Sequence, residues 1–193
     1  SWSLESDGGA INNHPGGILK VGNCIFENNF SKTNGGAILN HNNIDFKDSV
    51  FINNSTKEAG GAINNQKSGH LNVVNCRFEN NSAFKVGGAL VSAGYAGLKN
   101  SLFLNNSTET DSGGALFNSG DGVYDIDECE FRDNAVGGSG GSIINHGRIA
   151  LNDSIFVANH AKGFDGGAIN NQSRGTLDVV HCEFKDNVSR KKR

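Results

Sequence analysis

Gly60-Gly61-Ala62-Ile63-Asn64-Asn65, followed by Leu71-Asn72-Val73-Val74-Asn75-Cys76-Arg77-Phe78-Glu79-Asn80-Asn81, is the stretch that decides the fold. Apolar and polar residues alternate through both halves, which is the period of a strand and not of an amphipathic helix. Three short strands are predicted here: around Ala62-Ile63, around Leu71 to Val73, and around Cys76 to Phe78. The glycine pair allows a tight bend and close backbone approach. Asparagine at a corner tolerates left-handed backbone and bonds the nearby main chain.

The same phrase occurs seven times. Glycine pairs begin at Gly8, Gly35, Gly60, Gly87, Gly113, Gly140 and Gly166. Each is answered by a phenylalanine: Phe26, Phe51, Phe78, Phe103, Phe131, Phe156 and Phe184. A repeat of this length reads as a solenoid, whose units bury their apolar faces by stacking on one another. The predicted fold is all-β, a right-handed parallel β-helix of about seven coils of 25–28 residues, in one domain over 1–193. The repeats run at about 8–34, 35–59, 60–86, 87–112, 113–139, 140–165 and 166–187, with a basic tail at 188–193. At about 4.8 Å per coil the rod is roughly 34 Å tall.

Aligned copies show which columns face inward. After Gly-Gly-small comes Ile11, Ile38, Ile63, Leu90, Leu116, Ile143 and Ile169. Five residues before the phenylalanine stands Val21, Phe46, Val73, Leu98, Ile126, Leu151 and Val179. These two columns and the phenylalanines are the predicted core. Two asparagine columns are predicted as structural corner ladders. One is Asn13, Asn40, Asn65, Asn118, Asn145 and Asn171, with Ser92 in the fourth copy. The other is Asn29, Asn54, Asn81, Asn106, Asn134, Asn159 and Asn187. Stacked in register, such amides hydrogen-bond along the column.

Composition agrees with a thin core. Hydrophobic content is 36% while the chain holds 27 Gly and 28 Asn; a globule this poor in apolar residues would not offset its chain entropy. The net charge of −3, with both signs interspersed, leaves no electrostatic footprint for nucleic acid. No run approaches the roughly 20 apolar residues of a membrane span. The chain opens without a signal-peptide pattern and contains no Met, which predicts a mature form or an excised piece.

A second period lies over the first. Two residues before each phenylalanine stand Cys24, Ser49, Cys76, Ser101, Cys129, Ser154 and Cys182, in strict alternation. The serine copies carry outward apolar residues, Val50 and Ile52, Leu102 and Leu104, Ile155 and Val157; most cysteine copies carry charges there. These six residues are the candidate interaction face. With one copy per coil, apolar and charged coils alternate; with two copies per coil, the apolar residues stack into one patch. Cysteines on every second coil lie roughly 9.6 Å apart, beyond bridging range, so four free, buried thiols are expected.

No catalytic, cofactor or metal residues are assigned. Asp121, Asp125, Asp127, Glu128 and Glu130 form the densest acidic cluster, mostly on the outer surface and without the spacing of a calcium loop. His14, His41 and His146 share one repeat position with Gln66, Ala93, Ser119 and Gln172, a polar turn column. His160 and His181 have no partners at metal spacing. Asn-x-Ser/Thr occurs nine times, at Asn29, Asn53, Asn54, Asn80, Asn105, Asn106, Asn152, Asn171 and Asn187.

Gly-Gly-Ala-Ile, intact at Gly8, Gly35, Gly60 and Gly166, paired with Phe-x-x-Asn in all copies, resembles the repeat of chlamydial polymorphic outer membrane proteins. It is similar also to the adhesin-like β-helix proteins of methanogenic archaea. The resemblance implies a secreted or surface-displayed module for adhesion or surface structure, without enzymatic activity. Its partner would be a host or cell-surface protein, a glycan, or copies of itself, with no direct membrane insertion by this segment. Two other readings stand beside it: a filament or sheath subunit stacked end to end through uncapped β-edges, and a polysaccharide-active β-helix enzyme.

Overall fold

The computed structural model describes residues 7–163 and 165–190. One copy of the phrase makes one turn. In the third turn the strands are Ile63–Asn65, His70–Val74, Arg77–Glu79 and Ser82–Ala83. Each pairs in parallel with its equivalents in the turns on either side, giving four seven-stranded sheets, here I to IV in the order met along a turn. Registers follow the repeat: Ile11↔Ile38↔Ile63↔Leu90 in sheet I and Phe51↔Phe78↔Phe103 in sheet III. The protein is an all-β, parallel β-solenoid of seven turns.

The expectation of three strands per turn missed sheet IV. Its strands are two residues long and made of small or mixed residues, such as Ser55–Thr56 and Ser107–Thr108, too short for alternation to register. The third strand also starts later than expected, because Cys76 lies in the bend before Arg77–Glu79. One copy per turn settles the spacing question: apolar and charged turns alternate along sheet III.

The two glycines of each pair have different tasks. Gly60 takes a φ of 74°, and its equivalents are all left-handed. Gly61 is needed for space, since a Cβ there would stand 1.9 Å from the Gly88 carbonyl oxygen of the next turn. Both requirements recur in every copy, so the pair is a bend followed by a backbone-on-backbone contact.

The corners divide labour in a way the sequence did not show. Asparagines of the Asn54 column are buried from Asn54 to Asn159 and half-buried at its ends, and the left-handed backbone belongs to the residue before each: Asn28, Asn53, Asn80, Asn105, Asp133, Ala158 and Asp186, with φ between 52° and 56°. A second left-handed set precedes the Cys/Ser position, from Asn23 to His181.

Inside, phenylalanine rings of successive turns stack with centroids 4.6–4.9 Å apart and planes within 10°. That spacing is the distance between hydrogen-bonded strands, so the sheet imposes it on the rings. A fourth inward column, not anticipated, runs through Ile44, Leu71, Ala96, Tyr124 and Ile149. Tyr124 is fully buried above the small Ala96, and burial pushes its phenol well above the ordinary range.

Core burial weakens at both ends of the described stack. Ile11 and Ile169 are half-buried and Phe184 is 47% exposed, because each has a neighbouring described turn on one side only. The same geometry corrects the thiol expectation. All four cysteines are free, but only Cys76 and Cys129 are buried; Cys24 is exposed and Cys182 half-buried. Burial raises the Cys76 thiol and pushes Cys129 up to about 12.

Candidate interaction surfaces

The outer-corner ladder is continuous. Asn29, Asn54, Asn81, Asn106, Asn134 and Asn159 each donate through Nδ2 to Oδ1 of the next asparagine, at 2.8–3.1 Å, ending on Asn187. The same Oδ1 accepts the backbone N–H of the asparagine below, and Nδ2 from Asn54 onward also reaches a phenylalanine carbonyl. From Asn54 to Asn159 every polar atom of these buried side chains is used, which accounts for asparagine in the column. Sequons at Asn54 and Asn106 therefore place their amides inside the fold, whereas those at Asn53, Asn80 and Asn105 are exposed.

The ladder after sheet I is interrupted. Asn13, Asn40 and Asn65 are linked, and Asn65 donates to the Ser92 hydroxyl at 2.9 Å. Ser92 turns to the Gly94 carbonyl, leaving Oδ1 of Asn118 buried without a partner. Asn118, Asn145 and Asn171 then resume the chain of bonds.

On the outside of sheet III, Val50 and Ile52, Leu102 and Leu104, and Ile155 and Val157 form three rows two turns apart. Between them lie charged rows closed by within-turn ion pairs, Arg77 with Glu79 at 2.8 Å and Arg132 with Glu130. Most of the apolar side chains are half-buried, and Ile155 is 40% exposed. The face is striped.

The acidic cluster does not converge. Asp121 pairs with Lys67 at 2.8 Å, Asp127 with Lys99 at 2.7 Å, and Glu128 lies 3.6 Å from the same lysine. Lys67 holds the Asp121 carboxyl below its usual range, and Asp121 raises the lysine in return. Asp125 hydrogen-bonds Tyr95, whose phenol is raised first by burial and then by that carboxylate. Among the described residues no three His, Cys, Asp or Glu side chains gather as a metal site. His14 and His41 stack at 6.4 Å in the turn column, His146 leans on Phe117, and His181 stands 3.5 Å from Asp153. His160 is half-buried on sheet IV.

One surface escaped sequence reasoning. A groove of about 530 Å³ runs along sheet IV across five turns, lined among others by Lys57, Phe84, Ser107, Thr108, Glu109 and Lys162. The residue after each sheet IV strand stands in one column, Lys32, Lys57, Phe84, Glu109, Gly137, Lys162 and Arg190, of which Lys57 to Lys162 form a wall of the groove while Lys32 and Arg190 continue the line beyond its ends. From Lys57 to Arg190, each donates its backbone N–H to the inward residue of the previous turn, which holds the column in line. Its signal was in the sequence as four cations at one repeat offset, but that offset is visible only once the two-residue strand is known.

Residues 23–41 and 48–66 match the Chlamydia polymorphic membrane protein repeat family. Both segments run from the Cys/Ser bend through Phe-x-x-Asn to the aliphatic of the next turn, so they span parts of sheets III, IV and I. No curated protein and no solved structure matches the chain. Two segments of the chain are thus similar to the polymorphic membrane protein repeat, and they lie in consecutive turns of a parallel β-solenoid tied at the corners by asparagine ladders.

Proposed function

We propose that this protein is a non-enzymatic, surface-displayed module that adheres through the outer face of sheet III. The observation that carries the reading is the alternation of apolar and ion-paired rows on one rigid, fully hydrogen-bonded sheet. Three-residue strands of about 3.3 Å per residue, stacked roughly 34 Å high, offer about 340 Å². A stable protein interface needs about 800 Å² per partner. Sheet III by itself therefore supports weak contact, and adhesion comes from many modules acting together. The match to repeats of polymorphic membrane proteins supports display at an outer surface. Catalysis of polysaccharide cleavage calls for converging carboxylates, and the acids of the densest cluster are instead engaged one by one with cations or a tyrosine.

The test uses the protein as a monomer and as a streptavidin-linked tetramer, applied to epithelial cells and to immobilised matrix proteins. Saturable binding by the tetramer, weak for the monomer and abolished by Ile52→Lys, Leu104→Lys and Val157→Lys together, is the expected result. Absence of tetramer binding, or product release from acidic polysaccharides, overturns the proposal.

A further inference from the structure

We infer that the groove on sheet IV is a binding site for a linear acidic oligosaccharide, separate from the sheet III face. Four cations, Lys32, Lys57, Lys162 and Arg190, stand in one column with a single acid, Glu109, on a chain whose net charge is −3. None of the four has an ion-pair partner among the described residues, whereas nearby Lys85 is neutralised by Glu58. Local charge is thus opposite in sign to that of the molecule, the condition for drawing in an anion.

Spacing selects the kind of anion. Lys57 and Lys162 are four turns apart, roughly 19 Å at about 4.8 Å per turn. The cations sit in adjacent pairs at the two ends, and the middle is held by Phe84, Glu109 and Gly137. A ligand must therefore be a chain with charges set well apart and an uncharged body between them. Single-stranded nucleic acid presents a phosphate at every unit and asks for successive aromatic platforms; this column has one aromatic and no cation at three consecutive turns.

The middle of the groove suits a sugar. Phe84 is 45% exposed and lines the groove, apolar area of the kind a pyranose ring packs on. Ser82, Ser107 and Ala135 keep the floor shallow, and Gly137 leaves the wall open. Small hydroxyl-bearing residues beside one aromatic ring match the alternating polar edges and apolar faces of a glycan. Glu109 is the sole carboxylate in the lining, one short of the pair that hydrolysis requires. Binding without cleavage follows.

The experiment measures binding of fluorescent hexasaccharides, one arm uronate-only and one arm sulfated, to the purified protein, with a neutral hexasaccharide and a single-stranded oligonucleotide as competitors. Lys57→Glu with Lys162→Glu is expected to weaken binding at least about tenfold, the loss of two charge-assisted contacts. Lys20→Glu with Lys47→Glu, on sheet II, changes net charge equally and is expected to leave binding within about twofold, since exposed charges more than a Debye length away are screened. Phe84→Ser weakens it without changing its salt dependence. Circular dichroism confirms that each variant is folded. No binding in either arm, equal loss in both double variants, displacement by the oligonucleotide, or a shortened product overturns the inference. Cell binding by the tetramer that survives the sheet IV variants leaves the adhesive reading of sheet III intact, so the two proposals fail separately.

Discussion

Among single residues, two positions depart from what their columns require. Ala158 has a φ of 53° where every equivalent on the same corner is Asn or Asp. A left-handed residue with a Cβ and no short polar side chain costs about 1–2 kcal/mol. Ala158→Asn is therefore expected to raise stability by roughly 1 kcal/mol, read as a higher urea midpoint at unchanged slope. Ser92 is the other. Asn40 and Asn145, two turns away on either side in the same column, are asparagines that fit their turns and accept from the turn backbone. Ser92→Asn supplies the missing donor to Oδ1 of Asn118 and is expected to add about 1–2 kcal/mol, because an unsatisfied buried acceptor is what it removes. A lower midpoint for Ser92→Asn would contradict the ladder account. Ser92 stood out in its aligned column, but Ala158 did not, because an Asn-Asn doublet does not say which member is buried and which is left-handed.

Elements here are bends and stacks more than strands. The second glycine of each pair is a point of close backbone approach, and Gly88→Ala would put a Cβ 2.1 Å from the Gly114 carbonyl oxygen. Backbone cannot yield as a side-chain tip would, so the loss is expected to exceed about 4 kcal/mol or to prevent folding. Gly16 provides the control: it is left-handed, at 87°, but nothing lies within 4 Å of the place an alanine methyl would take. Gly16→Ala should cost only about 1 kcal/mol, the conformational term alone. Comparing the two by far-ultraviolet circular dichroism and urea titration separates close approach from backbone freedom. Similar losses for both would contradict the close-approach account of the second glycine. Sheets I, II and III were legible because their apolar columns persist through all seven copies. Sheet IV was not, because two residues cannot show a period.

For the molecule as a whole, alternation along the axis governs the thiols. Two cysteines inside the stack are shielded by serine turns on both sides, while those near its ends are not. Alkylation of the native protein at about pH 8 should modify Cys24 first and Cys182 more slowly, sparing Cys76 and Cys129 until the chain unfolds; mass spectrometry of the peptides reads the order. Burial holds Cys129 protonated up to about 12, against 9.0 for the free group. The unfolded chain therefore loses this proton first as pH rises, so stability is level below about pH 9 and falls between about 9 and 12. Cys76→Ser with Cys129→Ser, the residue already used at that position in alternate turns, should flatten part of that decline in urea midpoints measured from about pH 8 to 10.5. An unchanged alkaline slope would show that the buried thiols do not govern it.

The repeated phrase was enough to establish the solenoid, its seven copies and three of its inward columns. Repetition at 25–28 residues averages away local ambiguity, and an apolar position repeated seven times can only be a buried one. It also established that charged and apolar copies alternate. Folding in three dimensions settled how that alternation is laid out, with one copy per turn making stripes of a potential patch. It settled, too, which asparagine of each doublet enters the ladder and which takes the left-handed bend. The groove on sheet IV exists only in the folded chain, since residues such as Lys57, Phe84 and Lys162 become neighbours when parallel hydrogen bonding brings equal offsets of separate copies into one line.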